Sequence, residues 1–219
     1  MRTFHLFLKR AFDICVSLVM ILILIPVLVV IAIAIKLTSK GPAFFNQVRI
    51  GKDQKPFKMY KFRTMTVERY RPDGTEIMSE DRITKLGRIL RKLSLDELPQ
   101  LFNILNGTMS IIGPRPMLDY QAPRCRGEEV LRFRMRPGMT GLAQVKGRNN
   151  IIWEERIVYD VEYTKNFTFW LDLQILFKTV LLVFKRSGTQ VVAEYRGVSR
   201  FSKHYVPEET AEEQEAVTQ

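Results

Sequence analysis

Histidine and cysteine are nearly absent: His5 and His204, Cys15 and Cys125 are all that 219 residues contain. Two histidines at opposite ends supply neither a His-based triad nor a His-rich metal site. Two cysteines cannot staple a chain of this size, and they sit in unlike surroundings. Cys15 lies in an apolar run and Cys125 between two arginines, which fits a reducing compartment. There is no P-loop, no Gly-x-Gly-x-x-Gly fingerprint, no internal repeat and no low-complexity linker. Acidic residues are also scarce, 23 against 34 Lys and Arg, for a net charge of +11. Five of those acids, Glu208, Glu209, Glu212, Glu213 and Glu215, crowd the last stretch; without them the first 207 residues carry +16. So basic a body faces nucleic acid, anionic lipid or phosphorylated substrates. A mean hydropathy of −0.06 excludes both a polytopic transporter and wholesale disorder.

What the chain does have is one long uncharged segment, 22 residues from Ile14 to Ile35. As a helix it would measure about 33 Å, close to a hydrocarbon core of about 30 Å. The segment is too long for the apolar part of a signal peptide and no small-residue cleavage site follows it. Arg2, Lys9 and Arg10 precede it and Lys36, Lys40 and Arg49 follow it, so the positive-inside rule gives no direction. Pro26 falls near its middle, removes one backbone hydrogen bond and can bend the helix. A kinked spanning helix and a helix that enters and leaves by one face both satisfy these facts, and a buried core helix is the bland alternative. A second apolar stretch, Phe167 to Phe184, is interrupted by Asp172, Gln174 and Lys178. It suits an amphipathic interfacial helix or a core helix rather than a second span.

The rest reads as short elements between long ordered loops. Residues 43–50 and 57–65 look extended around Gly51-Lys52-Asp53, and Arg71-Pro72-Asp73-Gly74 reads as a turn. Apolar residues recur at helical spacing over 82–105 and again over 153–165, with a short helix expected over 128–135 and a loop-rich stretch over 141–150. The expected fold is mainly α with short β elements. Its segments are an N-terminal membrane helix with its flanks (1–40), a cytoplasmic membrane-associated domain (41–200) and an acidic, disordered tail (201–219).

Asp96 and Glu97 are the candidate reactive groups. Ser94-Leu95-Asp96-Glu97 matches a capping box, although Pro99 fits a frame capped at Asp96 as well. Either frame puts both carboxylates at the positive end of a helix dipole, where the ionised form is favoured. Acidic residues at helix starts are common on their own. Paired carboxylates surrounded by Lys61, Arg63, Arg88, Arg91, Lys92, Arg115, Arg136, Lys146 and Arg148, many in Gly- and Pro-rich stretches, suggest instead a diphosphate and a divalent cation.

Several motifs now form a series: Lys9-Arg10-x-x-Asp13, Gly41-Pro42-Ala43-Phe44-Phe45, Tyr60-Lys61-Phe62-Arg63-Thr64-Met65 and Leu95-Asp96-Glu97-Leu98-Pro99-Gln100. Gly113-Pro114-Arg115-Pro116, Arg136-Pro137-Gly138-Met139-Thr140-Gly141 and Gly147-Arg148-Asn149 continue it. In this order and spacing, over residues 9 to 188, the chain resembles the bacterial sugar transferases, the monotopic phosphoglycosyl transferases, in their minimal form. The resemblance implies transfer of a sugar-1-phosphate from a UDP-sugar to undecaprenyl phosphate with release of UMP and with Mg²⁺, at the cytoplasmic face of the bacterial inner membrane among its phospholipids. It implies that Asp96 is nucleophile and metal ligand, that Glu97 is its catalytic partner, and that Lys61, Arg63, Arg91, Arg115, Arg148 and Asp160 bind substrate or order the site. It also implies a re-entrant first helix broken at Pro26, and a product that starts a polysaccharide or glycoprotein. The rival reading is a membrane-anchored basic module that binds acidic lipid or nucleic acid without chemistry. Its affinity would fall steeply with salt and ignore Asp96.

Overall fold

The computed structural model describes residues 2–71, 73–78, 80–147, 151–184 and 199–202. Arg148 and nearly all of the expected tail, 203–219, lie outside them. The chain forms two compact units, Met1–Arg49 with Phe57–Ile111, and Ile50–Pro56 with Ile112–Gln219. This cut differs from the expected one, because the first helix shares a unit with residues 57–111.

In the first unit, α1 runs unbroken from Arg2 to Thr38 with Pro26 inside it. One stripe of α1 is buried, with Lys9, Asp13, Ser17 and Ile21 at four-residue spacing, then Leu28, Ile31 and Ile35. Polar side chains in and beside that stripe tie the helix to the unit. Asp13 accepts hydrogen bonds from Ser110 Oγ (3.1 Å) and the Ile111 amide (3.0 Å). Arg10 donates to the carbonyls of Ile104 (2.7 Å) and Leu105 (3.0 Å). The apolar part meets Ala43, Phe62 and Leu90 in the core of the unit. Elsewhere α1 shows Leu18, Val19, Leu22, Ile23, Val29 and Val30 to the outside. Only 22% of its most apolar 18-residue window is buried, and α1 is the one helix among the described residues long and apolar enough to cross a membrane.

A hairpin follows, β1 (Phe44–Ile50) pairing with β2 (Pro56–Phe62). The helical periodicity over 82–105 resolves into three pieces rather than one helix. These are α2 (Lys85–Lys92), a 3-10 turn over Leu95–Glu97 and α3 (Gln100–Leu105). Ser94 causes the first interruption, with φ 56° in the left-handed region. Pro99, which lacks an amide hydrogen, sets the start of α3.

In the second unit, β4 (Gly138–Thr140) lies beside the strand end that leaves β3 (Ser110–Ile112). The Gly113 amide donates to Thr140 and the Gly138 amide to Pro114. A Cβ on Gly113 would strike the Arg136 carbonyl, and one on Gly138 the Gly113 nitrogen. The glycines of the two Gly- and Pro-rich motifs therefore permit close backbone approach. Three helices complete the unit: α4 (Leu142–Gly147), α5 (Trp153–Lys165) and α6 (Phe169–Phe184). The stretch expected as loop-rich thus holds a helix, and the one expected over 128–135 is a 3-10 helix over Gly127–Arg134. Asp172, the acid inside apolar α6, is buried and accepts from Tyr163 Oη at 2.7 Å. Meanwhile Trp170, Phe177 and Leu181 are exposed, so the outward face of α6 is the apolar one. Phe201 is buried with Ile157 and Phe133, and Trp153 packs against them.

Candidate functional site

The Asp96–Glu97 pair is held by its neighbours rather than by a helix cap. Leu95 and Leu98, immediately on either side, pack into the core of Phe62, Leu90 and the end of α1. Burying two flanking leucines fixes the turn and leaves both carboxylates half-buried at its outer side. Ser94 makes no side-chain capping bond, and α3 starts only at Gln100. Both capping frames are thereby corrected: no side-chain cap forms, and the carboxylates precede the short helix.

Burial pushes the Asp96 carboxyl up from its usual range, and the Glu97 charge adds to that; Lys61 and Arg91 pull the other way. Lys61 Nζ stands 2.7 Å from Glu97 Oε1, with both side chains about four-fifths buried. Strand β2 delivers this lysine. Along it, Lys61 points to Glu97 and Phe62 into the core, and just past its end Arg63 points to the end of α1. Asn103 locks α3 to the same strand by accepting from the Tyr60 amide (2.9 Å) and donating to the Lys58 carbonyl (2.8 Å). Arg91 is steadied by Thr64, whose Oγ accepts from Arg91 Nε at 2.9 Å.

The other expected site residues have different surroundings. Arg63, expected among the substrate ligands, is buried and donates to the Ser39 carbonyl and hydroxyl and to the Lys40 carbonyl, closing the C-terminus of α1. Asp160 on α5 is 1% exposed and sits 2.5 Å from Arg132 Nη2, with burial raising its carboxyl against the pull of Arg132 and Arg156. Arg115 lies on the loop after Gly113, partly buried. Thus Lys61, Arg91, Asp96 and Glu97 come together in the first unit, Arg115 and Asp160 in the second, and Arg148 lies outside the described residues. Asn103 and Arg132 were not expected. Their one signal is a lone polar residue inside an apolar run, Leu101-Phe102-Asn103-Ile104 and Val130-Leu131-Arg132-Phe133.

The family profile described as bacterial sugar transferase matches residues 4–186. The chain belongs to that family. This sugar transferase is 44% identical over 183 residues to the sugar transferase EpsL of Bacillus subtilis, covering 84% of this chain and 90% of that protein. It is also 44% identical over 185 residues to the UDP-glucose:undecaprenyl-phosphate glucose-1-phosphate transferase of Klebsiella pneumoniae. There the match covers 80% of this chain and 40% of the relative. Against the undecaprenyl-phosphate galactose phosphotransferase of Salmonella typhimurium identity is 38% over 198 residues, 83% of this chain and 41% of the relative. The chain therefore spans less than half the length of the last two.

Proposed function

We propose that this sugar transferase moves a sugar-1-phosphate from a UDP-sugar to undecaprenyl phosphate, releasing UMP, through a covalent phosphosugar ester of Asp96. The observation that carries the reading is the Asp96 carboxylate itself. It is partly desolvated, crowded by Glu97, and balanced by Lys61 and Arg91. A desolvated carboxylate is a stronger nucleophile than a hydrated one, and nearby cations suit an approaching diphosphate. The names of the Klebsiella and Salmonella relatives supply the acceptor and the reaction class.

In the first step an Asp96 oxygen attacks the sugar-linked phosphorus. The bond from that phosphorus to the bridging oxygen breaks, and UMP leaves with the electron pair. In the second, an oxygen of undecaprenyl phosphate attacks the same phosphorus and the Asp96 carboxylate is released. Phosphorus keeps its oxidation state and no net proton is consumed. Lys61 holds Glu97 beside the nucleophile, and Arg91, steadied by Thr64, adds positive charge. Arg115 and Arg148 keep the part that the resemblance gives them, binding substrate or ordering the site.

Asp96 is the proposed Mg²⁺ ligand. Among the described residues no three acidic, His or Cys groups form a metal cluster. Mg²⁺ ordinarily uses one or two carboxylates together with substrate phosphates, so the Asp96–Glu97 donor set fits it. When bound it would neutralise charge on the diphosphate and on departing UMP.

The same reading places the protein in the cytoplasmic leaflet of the inner membrane with a re-entrant α1. Both ends of α1 are tied to one compact unit: Arg10 and Asp13 to residues 104–111, Ile31 and Ile35 to Phe62 and Leu90. That supports entry and exit by one face, with Pro26 as the weak point of the helix and the apolar face of α6 lying at the interface. A tag at the N-terminus found across the membrane from the catalytic residues would contradict it. The reaction is tested by UMP release across a set of UDP-sugars with Mg²⁺ and undecaprenyl phosphate. Wild type should release UMP with at least one donor and Asp96→Asn with none. Equal release by both would end the proposal.

A further inference from the structure

The second unit contains an ion pair that is wholly enclosed. Arg132 and Asp160 are 2% and 1% exposed, and their side chains meet at 2.5 Å. The same Arg132 Nη2 donates to the Arg115 carbonyl at 2.7 Å. Asp160 in turn accepts from the Arg115 amide, so the peptide groups on both sides of the Arg115 Cα are held by one buried pair. Pro114 and Pro116 on either side restrict the backbone further, and this loop, Arg132, Phe133 and Met135 help line a cavity of about 10 Å³, room for roughly one water. Arg156, one helical turn before Asp160 on α5, lies on the same face.

A buried salt bridge is weak evidence for stability, since desolvation offsets most of the attraction. Its geometry here serves something else: neither partner is open to a substrate, while the residue they both grip is partly exposed. We infer that Arg132 and Asp160 are positioning residues, which act on sugar-nucleotide binding by fixing the main chain of Arg115 and so aiming its guanidinium. The inference rests on the proposed function for the role of Arg115, and it moves Asp160 from direct ligand to support.

The test is a double-mutant cycle. Asp160→Asn alone would leave Arg132 charged and unpaired, so Arg132→Met with Asp160→Asn removes both charges at similar volume. Thermal melting first establishes that this variant folds. If it does not, the milder Arg132→Lys, which keeps the charge but loses the planar fork, takes its place in the cycle. Misplacing Arg115 should lower UMP release per UDP-sugar by up to about 100-fold, as for other displaced site groups. The loss should fall on the KM for UDP-sugar and leave the KM for undecaprenyl phosphate unchanged, a split that general loosening would not give. The variant that combines these changes with Arg115→Ala should then lose no more than Arg115→Ala loses alone, because both changes remove one contribution. Calorimetric binding of UDP to the same proteins reads the cycle without turnover. Additive losses, or UDP binding and KM indifferent to the buried pair, overturn the inference even when wild type releases UMP. Absence of UMP release by wild type counts instead against the proposed function, and the UDP-binding cycle still decides the inference.

Discussion

Asp96 and Asp160 are the same residue type in opposite circumstances. Asp96 stands half-buried on a 3-10 turn, next to another carboxylate, with Lys61 and Arg91 drawing its pKa the other way. Asp160 is enclosed on a regular helix and gripped at 2.5 Å by a guanidinium. The comparison teaches that burial alone does not make a carboxylate reactive. Burial raises the Asp160 carboxyl too, but a fixed guanidinium opposes that and holds the side chain in place. Asp96 has its charge raised in energy by desolvation and by Glu97, with no such donor among its causes of stabilisation beyond Lys61, Arg91 and its own amide. On the proposed reaction the first arrangement would serve as a poised nucleophile and the second as a strut.

The largest break in this comparison should come from neutralising Asp96. Asp96→Asn should lower UMP release by about 10⁴-fold or more, the scale seen when a covalent nucleophile is lost. Without metal it should also raise Tm at neutral pH. A carboxyl whose folded pKa lies above its unfolded one destabilises the fold once it ionises. The gain should therefore be full above the folded pKa and vanish as pH falls below the ordinary carboxylate range. Calorimetric melting over that pH range checks the sign.

Burial raises the Asp160 carboxyl as well, yet Asp160→Asn should do the reverse to stability, because what decides it there is the partner left behind. It leaves Arg132 charged in a closed site and should cost about 3–5 kcal/mol, read by denaturant unfolding. Lys61→Met sharpens the comparison from the Asp96 side. It strips Glu97 of its partner and removes one of the two cations that lower the Asp96 pKa, so the acid limb of the pH–rate profile should move to higher pH. The smallest effect should come from Glu128→Gln. Its pair with Lys165 has the same 2.7 Å spacing as Lys61–Glu97 but is exposed, and about 0–1 kcal/mol is expected in unfolding experiments.

Regular elements were legible where one period ran without interruption. Helix α5 follows its apolar spacing from Trp153 to Lys165, and the hairpin strands fall where Phe, Tyr and Val cluster. The stretch over 82–105 misled because apolar period says nothing of a single left-handed residue, and Ser94 is one. For the site, the Asp96–Glu97 pair and Lys61 could be found from acidic spacing and motif, and they do meet. Arg63 could not be told from a ligand, since an arginine that closes the end of α1 and one that binds phosphate look alike in one dimension. Arg132 illustrates the same limit, because its partners Asp160 and Arg115 lie 28 and 17 residues away. Long-range pairing decides whether a charge is used or stored, and local sequence does not encode it.

The most direct measurement is mass spectrometry of the intact and digested protein after mixing with its UDP-sugar in the absence of undecaprenyl phosphate. The account predicts a sugar-phosphate adduct on the peptide containing Asp96, absent in Asp96→Asn and discharged when the lipid phosphate is added. Continued UMP release with no adduct at that residue, or an adduct that the lipid does not discharge, would contradict it.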